Sequence, residues 1–114
     1  MKRDTVYLQD VLAAAQAAMT YLRGLSREDF LAQPEKQDAV IRTLEVMGEG
    51  ARRLSAEAKQ AIPDVPWRRL IDMRNILIHQ YDSVDLDIVY DTVTRFLLPL
   101  IQRVQRALGD RLVP

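Results

Sequence analysis

Residues 35–54 read EKQDAVIRTLEVMGEGARRL, and this stretch decides the fold class of the chain. Its apolar residues recur three and four positions apart, which is the spacing of side chains on one face of an α-helix. The stripe consists of Val40, Leu44, Met47, Ala51 and Leu54. Gly48 and Gly50 interrupt it, and each costs roughly 0.5–1 kcal/mol of stability relative to alanine. We therefore predict a helix from about Glu35 to Leu54, with another helix or a ligand in close approach at the glycines.

The residues before this stretch predict one long helix and one short helix. A helix of roughly 20 residues carries an apolar stripe that comprises Leu8, Leu12, Ala15, Met19 and Leu22. Gly24 is suited to end that helix. Ser26 is suited to cap a short helical piece that runs through Leu31, and Pro34 then resets the chain.

The residues after Leu54 predict a short helical turn and a third long helix. Ser55 is suited to cap the turn, which runs through Ile62. Pro66 favours the first position of the long helix, which ends near His79. The side chains that we expect to point inward from this helix are Trp67, Leu70, Ile71, Leu77 and Ile78.

A last helix begins after a cap at Ser83 or Asp85. Its apolar stripe comprises Leu86, Val89, Val93, Leu97, Leu100, Val104 and Leu108. Because the stripe continues beyond Pro99, we expect the helix to bend there and not to end. No segment has the alternation of a strand, so four main helices with short connections predict an all-α, antiparallel four-helix bundle with short extra helical turns, in one domain over residues 1–114.

Composition excludes several classes of function. Sixteen basic residues balance sixteen acidic ones, so the net charge does not indicate a nucleic acid or membrane partner, and any such partner is bound locally. The chain has no cysteine, which excludes disulfides, thiolate catalysis and the usual structural zinc sites, and which fits a cytoplasmic location. The longest apolar run is far shorter than the ~20 residues that span a bilayer, so we expect no membrane segment.

The single histidine, His79, lies five residues after Arg74, about 140° away around a regular helix. If the helix frays near Ile78, His79 and Tyr81 turn onto a rim beside Arg74. Arginine is a permanent planar cation for phosphate and histidine exchanges protons near neutral pH, so the pair suits phosphodiester chemistry. The alternative is structural: His79 caps the helix C-terminus, Tyr81 is a rim residue, and Arg74 pairs with Asp72 or another acid.

Four segments in the order in which they occur here resemble the HepT-like HEPN proteins. They are GEGARRLS at 48–55, IPDVPWR at 62–68, MRNILIHQY at 73–81 and VDLDIVY at 84–90. The resemblance covers nearly the whole chain. It implies a HEPN-type helical bundle that forms a homodimer and acts as a ribonuclease toxin without a metal or other cofactor.

The resemblance also implies the roles of individual residues. The family motif Arg-x4-His-x-Tyr matches Arg74 and His79 as catalytic residues, and Asn75 as a supporting residue. Tyr81 then accepts AMP from a nucleotidyltransferase antitoxin of the MNT type, which silences the toxin. Family members often have glycine after the histidine and an aromatic residue after the tyrosine, where this chain has Gln80 and Asp82.

Those departures leave two other classes of function open. One is a catalytically inactive HEPN module that binds a nucleotidyltransferase partner or a nucleotide. The other is a purely structural helical dimerisation domain. Cleavage of RNA that depends on Arg74 and His79 separates the enzyme from both.

Metal-free RNA cleavage needs a base, an acid and a cation, and a single His79 cannot fill all three roles. A twofold dimer that faces two copies of the motif across one cleft would provide two imidazoles and two guanidiniums. The basic residues flanking the motif, with Arg52, Arg53, Arg68 and Arg69 foremost, line an RNA phosphate track or form an ordinary solvated surface.

Two acidic residues and two aromatic residues have simpler interpretations. Glu45 and Glu49 are four positions apart, but no suitably spaced ligand completes a metal site, and we predict instead that Glu49 supports Arg74. We expect Trp67 and Tyr90 to be core or dimer-contact aromatics and not base-stacking platforms.

Overall fold

A computed structural model of the protein describes the backbone of residues 2–112 and the side chains of residues 3–110. Three residues of the predicted domain, Met1, Val113 and Pro114, lie outside the described part. Every regular element within it is helical, which confirms the all-α prediction. In chain order these are α1 (Lys2–Leu22), α2 (Arg27–Leu31), α3 (Pro34–Arg53), α4 (Ala56–Ala61), α5 (Trp67–His79), a 3₁₀ turn (Tyr81–Ser83), α6 (Leu86–Asp91), a π-helical turn (Thr92–Phe96) and α7 (Leu97–Leu112).

The long helix α3 lies between α1 and α5, and its two glycines make both contacts close. A Cβ at Gly50 would lie 2.9 Å from Val11 Cγ2 on α1. A Cβ at Gly48 would lie 2.7 Å from the Leu70 carbonyl oxygen on α5 and would overlap the Cβ of Arg74. The prediction of a close approach is therefore confirmed, and at each glycine it is a helix that approaches.

The core contains most of the predicted apolar stripes, and Leu12, Met19 and Leu86 pack against it partly buried. The four stripe residues on α3 are buried, and so is Leu54, which directly follows that helix. The largest fully buried side chains are Phe30, Leu8, Leu44, Met47, Leu97, Val11, Val40, Val89 and Val104. One inward prediction is wrong: Leu77 is 3% exposed, whereas Ile78 is 39% exposed. One residue turns a helix by about 100°, so with Leu77 on the buried side Ile78 takes the side of Arg74, four residues earlier.

The helix continues past Pro99, as predicted, and its irregularity lies just ahead of the proline. Pro99 has no N–H for the carbonyl of Arg95, which belongs to the π-helical turn. Two threonine side chains bond back to the preceding turn there: Thr92 Oγ1 donates to the Ile88 carbonyl at 2.7 Å and Thr94 Oγ1 to the Tyr90 carbonyl at 2.9 Å. Side-chain hydrogen bonds of this kind compete with the regular helical pattern.

The predicted caps are present at the short helices. Ser26 and Ser55 accept hydrogen bonds from the backbone N–H groups of Asp29 and Ala58. Of the two alternatives for the last helix, Asp85 is the cap, because its carboxylate accepts from two backbone N–H groups of α6, at 3.0 and 3.2 Å.

Trp67 is a core residue and Tyr90, near the end of α6, packs partly buried against the core, in agreement with the core alternative predicted for both. Trp67 is 6% exposed, and its indole N–H donates to the Ile62 carbonyl at 3.1 Å. The ring of Tyr90 lies 5.9 Å from that of Phe30, and its hydroxyl donates to the Leu25 carbonyl at 3.1 Å.

Two polar contacts between distant segments have no counterpart in the sequence prediction. Arg27 on α2 pairs with Asp87 at 3.0 Å and with Asp91, which ties α2 to α6. The buried carboxylate of Asp4 accepts hydrogen bonds from the backbone N–H and the hydroxyl of Ser55, at 2.9 and 2.8 Å. None of the described helices is both long and apolar enough to cross a membrane.

Candidate active site

Arg74 is held against α3 at the position where Gly48 has no side chain. Its side chain is 24% exposed, and Nε lies 3.0 Å from Oε2 of Glu49. This contact is an ion pair without hydrogen-bond geometry, because the buried Nε has no hydrogen-bond acceptor among the described residues. Nη1 donates to Asn75 Oδ1 at 2.8 Å. The guanidinium is thus fixed on two sides by the two residues predicted to support it.

Glu49 is the anion on which three guanidinium groups converge. Besides Arg74, Arg52 donates to its carboxylate through Nε at 3.1 Å and Nη2 at 2.7 Å, and Arg53 donates through Nε at 2.8 Å. The hydrogen bonds from Arg52 and then Arg53 lower the pKa of Glu49 to about 2, and the charge of Arg74 acts in the same direction. Glu49 is therefore ionised near neutral pH and is the counter-ion that holds the three guanidiniums.

An open cavity of about 370 Å³ lies between α1, α3 and α5, with Arg74 in its wall. Each helix contributes one face to it. The lining residues are Tyr7 and Asp10 from α1, Arg42, Glu45, Val46, Glu49, Gly50 and Arg53 from α3, and Arg74 and Ile78 from α5.

His79 is the last residue of α5, as predicted, and it is exposed. The helix does not fray at Ile78, since the backbone N–H of Gln80 still donates to the Ile76 carbonyl at 2.8 Å. The imidazole makes no hydrogen bond or ion pair with any described residue, so it is not seen to cap a carbonyl. Tyr81 follows in the 3₁₀ turn and is 81% exposed.

A single chain therefore does not place the three motif residues in one cavity. Arg74 lines the cavity between α1, α3 and α5, whereas His79 and Tyr81 are absent from its walls. Arg74 does pair with an acidic residue, as the structural alternative allows, but that residue is Glu49, whereas Asp72 pairs with Arg68 at 3.2 Å. Among the described residues, no group of three acidic or histidine side chains is arranged to hold a metal ion.

The four arginines predicted to bind RNA fall into two groups. Arg52 and Arg53 lie at the end of α3 on Glu49, beside Arg74. Arg68 and Arg69 lie in the first turn of α5, where both are exposed. Arg69 borders a second, mainly apolar cavity of about 440 Å³, whose walls include the exposed side chains of Ile76, Ile88 and Phe96.

Comparison with known proteins identifies the family. The chain is 38% identical over 87 residues to a "Probable ribonuclease HepT" of Thermococcus cleftensis, covering 76% of this chain and 79% of that protein. It is 32% identical over 108 residues to a candidate RNase of Caldanaerobacter subterraneus subsp. tengcongensis, covering 95% and 96% of the two chains. A candidate RNase of Methanocaldococcus jannaschii is 32% identical over 93 residues, with coverage of 81% and 85%.

No solved structure gives a significant match to the chain. The family model described as "Ribonuclease HepT-like" matches residues 11–107, which contain Arg74, His79 and Tyr81 as well as the glycines that pack α3. This chain therefore belongs to the HepT-like ribonuclease family, as the resemblance of its four segments predicts.

Proposed function

We propose that this protein is a toxin that cleaves RNA endonucleolytically without a metal ion, at a site completed across a homodimer. The observation that carries the proposal is the fixed orientation of the Arg74 guanidinium. Its guanidinium is oriented by Glu49 and Asn75 in the wall of an open cavity, while the exposed His79 ends the same helix. A cation held in a fixed orientation suits the stabilisation of charge that develops in a transition state.

The reaction uses one imidazole as a base and another as an acid. The neutral His79 of one protomer takes the proton of a ribose 2′-hydroxyl, and the oxygen attacks the adjacent phosphorus. The bond from phosphorus to the 5′-oxygen breaks as the partner's His79, in its protonated form, donates a proton to that oxygen. The products are a 2′,3′-cyclic phosphate and a 5′-hydroxyl. Arg74 stabilises the negative charge of the phosphorane that forms before the 5′-oxygen leaves.

A dimer is part of the proposal because one chain supplies a single imidazole, and that imidazole does not line the cavity of Arg74. A twofold axis that brings the ends of two α5 helices together supplies two of each group. Sedimentation measurements test this point, and an active protein that remains monomeric at the assay concentration contradicts it.

Tyr81 is proposed as the residue through which a nucleotidyltransferase antitoxin of the MNT type silences the toxin. Its phenol is accessible, with 81% of the residue exposed. The phenol oxygen attacks the α-phosphorus of ATP, the bond to the β-phosphate breaks and pyrophosphate leaves, the phenol proton passes to solvent, and AMP remains joined to Tyr81 through a phosphodiester. The added phosphate places negative charge near His79 and competes with the phosphate of RNA.

The central experiment measures cleavage of a labelled RNA in excess EDTA by the wild type, His79→Ala and Arg74→Ala. We expect each variant to be slower by about 10²–10⁴-fold, the usual contribution of a group that transfers protons or stabilises charge. Arg106→Ala is the matched control, since Arg106 is an exposed residue of α7 that does not line the cavity. Cleavage by His79→Ala at the wild-type rate refutes the mechanism.

The second candidate function is a catalytically inactive HEPN module that binds a nucleotidyltransferase or a nucleotide, which Gln80 and Asp82 favour. Co-expression with the candidate antitoxin and intact-mass measurement address the partner. We expect one AMP increment on the wild type and none on Tyr81→Phe. A wild type that gains AMP but never cleaves RNA supports the inactive module.

A further inference from the structure

The cavity beside Arg74 contains charged groups that the proposed reaction does not use. Arg42, Glu45 and Val46 lie on the same face of α3 as Glu49, and Tyr7 and Asp10 face them from α1. Arg42 is exposed and makes no ion pair with any described residue. A permanent cation without a carboxylate partner at the edge of a cavity is available for an anion from outside the chain.

The charges around Glu49 also make that part of the cavity wall attractive to phosphate. The guanidiniums of Arg52, Arg53 and Arg74 share this single carboxylate, so positive charge is locally in excess around Glu49, while the cavity walls as a whole carry three acidic and three basic side chains. Of the arginines on Glu49, Arg53 also lines the cavity, and its guanidinium lies 6.0 Å from the centre of the Tyr7 ring.

The remaining walls suit a nucleobase. Tyr7, Val46 and Ile78 supply apolar surface. The carboxylates of Asp10 and Glu45 make no hydrogen bond or ion pair with the described residues, so they can accept from the amino groups of a base. The volume of about 370 Å³ is near the lower end of the range of roughly 300–1,000 Å³ for small-molecule sites, which suits a single nucleotide.

We infer that this cavity is a subsite for one nucleotide of the RNA strand next to the scissile phosphate. Arg42 and Arg53 bind its backbone phosphate, the apolar wall contacts its base, and Asp10 and Glu45 favour bases that carry an amino group over uracil. The inference rests on the proposed function, because it assigns the strand that Arg74 acts on to a path between α1 and α3.

The experiment measures RNA binding in the His79→Ala background, so that cleavage does not interfere. We expect Arg42→Ala to weaken binding of a short single-stranded RNA about tenfold. We also expect the slope of log affinity against log salt to fall by about 0.7, the value for one phosphate contact on a single strand. Glu45→Gln should reduce the preference for oligo(C) over oligo(U) of equal length.

Arg23→Ala is the matched control. Arg23 is an exposed arginine that directly follows Leu22, the last residue of α1, which lies about 18 Å further along the helix axis than Asp10. Its removal changes the net charge equally and should leave affinity and salt slope unaltered. The inference is overturned if Arg42→Ala binds like its parent, or if Arg23→Ala weakens binding as much.

The two proposals fail in different ways. A wild type that binds RNA through Arg42 but does not cleave it refutes the proposed function and leaves the subsite intact. Cleavage that depends on His79, together with an affinity that Arg42→Ala does not change, refutes the subsite and leaves the proposed function intact.

Discussion

Gly48→Ala adds one methyl group at the contact between α3 and α5, and we expect it to destabilise the protein. The new Cβ would lie 2.7 Å from the Leu70 carbonyl oxygen and would overlap the Cβ of Arg74. Neither atom can rotate away, because one belongs to the backbone and the other is bonded directly to it. The two helices must therefore move apart, and Arg74 moves with α5.

Two effects of opposite sign set the magnitude. Overpacking costs about 1–3 kcal/mol, with a backbone clash at the upper end. Replacing glycine by alanine inside a helix contributes up to about 1 kcal/mol in favour of the variant. The net expectation is a decrease of about 1–2 kcal/mol in the free energy of unfolding.

Gly109→Ala is the control that isolates the contact. Gly109 lies within α7, is exposed, and has no atom within 4 Å of an added Cβ. Only the helix-propensity gain applies, so we expect this variant to be stabilised by about 0.5–1 kcal/mol. The same substitution thus changes sign between the two helices.

Urea unfolding of both variants and the wild type measures these differences, at one protein concentration because association would shift the midpoint. In the RNA assay we expect Gly48→Ala to be slower by about 10²-fold, since a displacement near 1 Å of a positioned group has that effect. A Gly48→Ala protein as stable as the wild type refutes the close packing of α3 against α5.

Three further predictions concern charged groups. Because the pKa of Glu49 is lowered, its ionised carboxylate stabilises the folded protein fully above pH 4.5, and this contribution is lost as the pH falls towards about 2. In acid unfolding, Glu49→Gln should therefore lose less stability than the wild type over this pH range. Arg27→Ala should lower the unfolding temperature, and less so at high salt, because it removes the ion pairs that join α2 to α6. Arg95→Ala removes only an exposed contact at 4.0 Å and should change the unfolding temperature little. Equal effects of the two substitutions contradict the role of Arg27 in joining these helices. Asp85→Ala should cost about 0.5–2 kcal/mol in thermal unfolding through loss of the α6 cap, and a comparable loss on Ser83→Ala argues against it.

Much of the candidate site could be predicted from residues close together in sequence. The motif from Arg74 to Tyr81 identifies the family, and the end of α5 at His79 follows from the loss of periodicity after it. The support of Arg74 by Asn75 is a contact between neighbours. Its support by Glu49, predicted from chemistry alone, required two helices to meet at Gly48.

The positions of other residues could not be predicted from the local sequence. Ile78 has the character of a core residue, yet it lines the cavity with Arg74, because α5 turns Leu77 inward and not Ile78. Arg42 carries no recognisable motif, and only the packing of α1 against α3 puts it across a cavity from Tyr7. The ion pair between Arg27 and Asp87 joins positions 60 residues apart, and no local sequence pattern predicts it.

The sequence by itself determined the helices of this protein, most of their caps and the family motif, because periodicity, capping and motif spacing act within a few residues along the chain. Only the tertiary structure decided which helix meets each glycine of α3, that Arg74 faces a cavity, and that His79 and Tyr81 lie outside it in a single chain. These outcomes depend on which faces of different helices come together. The two glycines predicted a close approach to α3, and the packing of the whole bundle determined which helices make it.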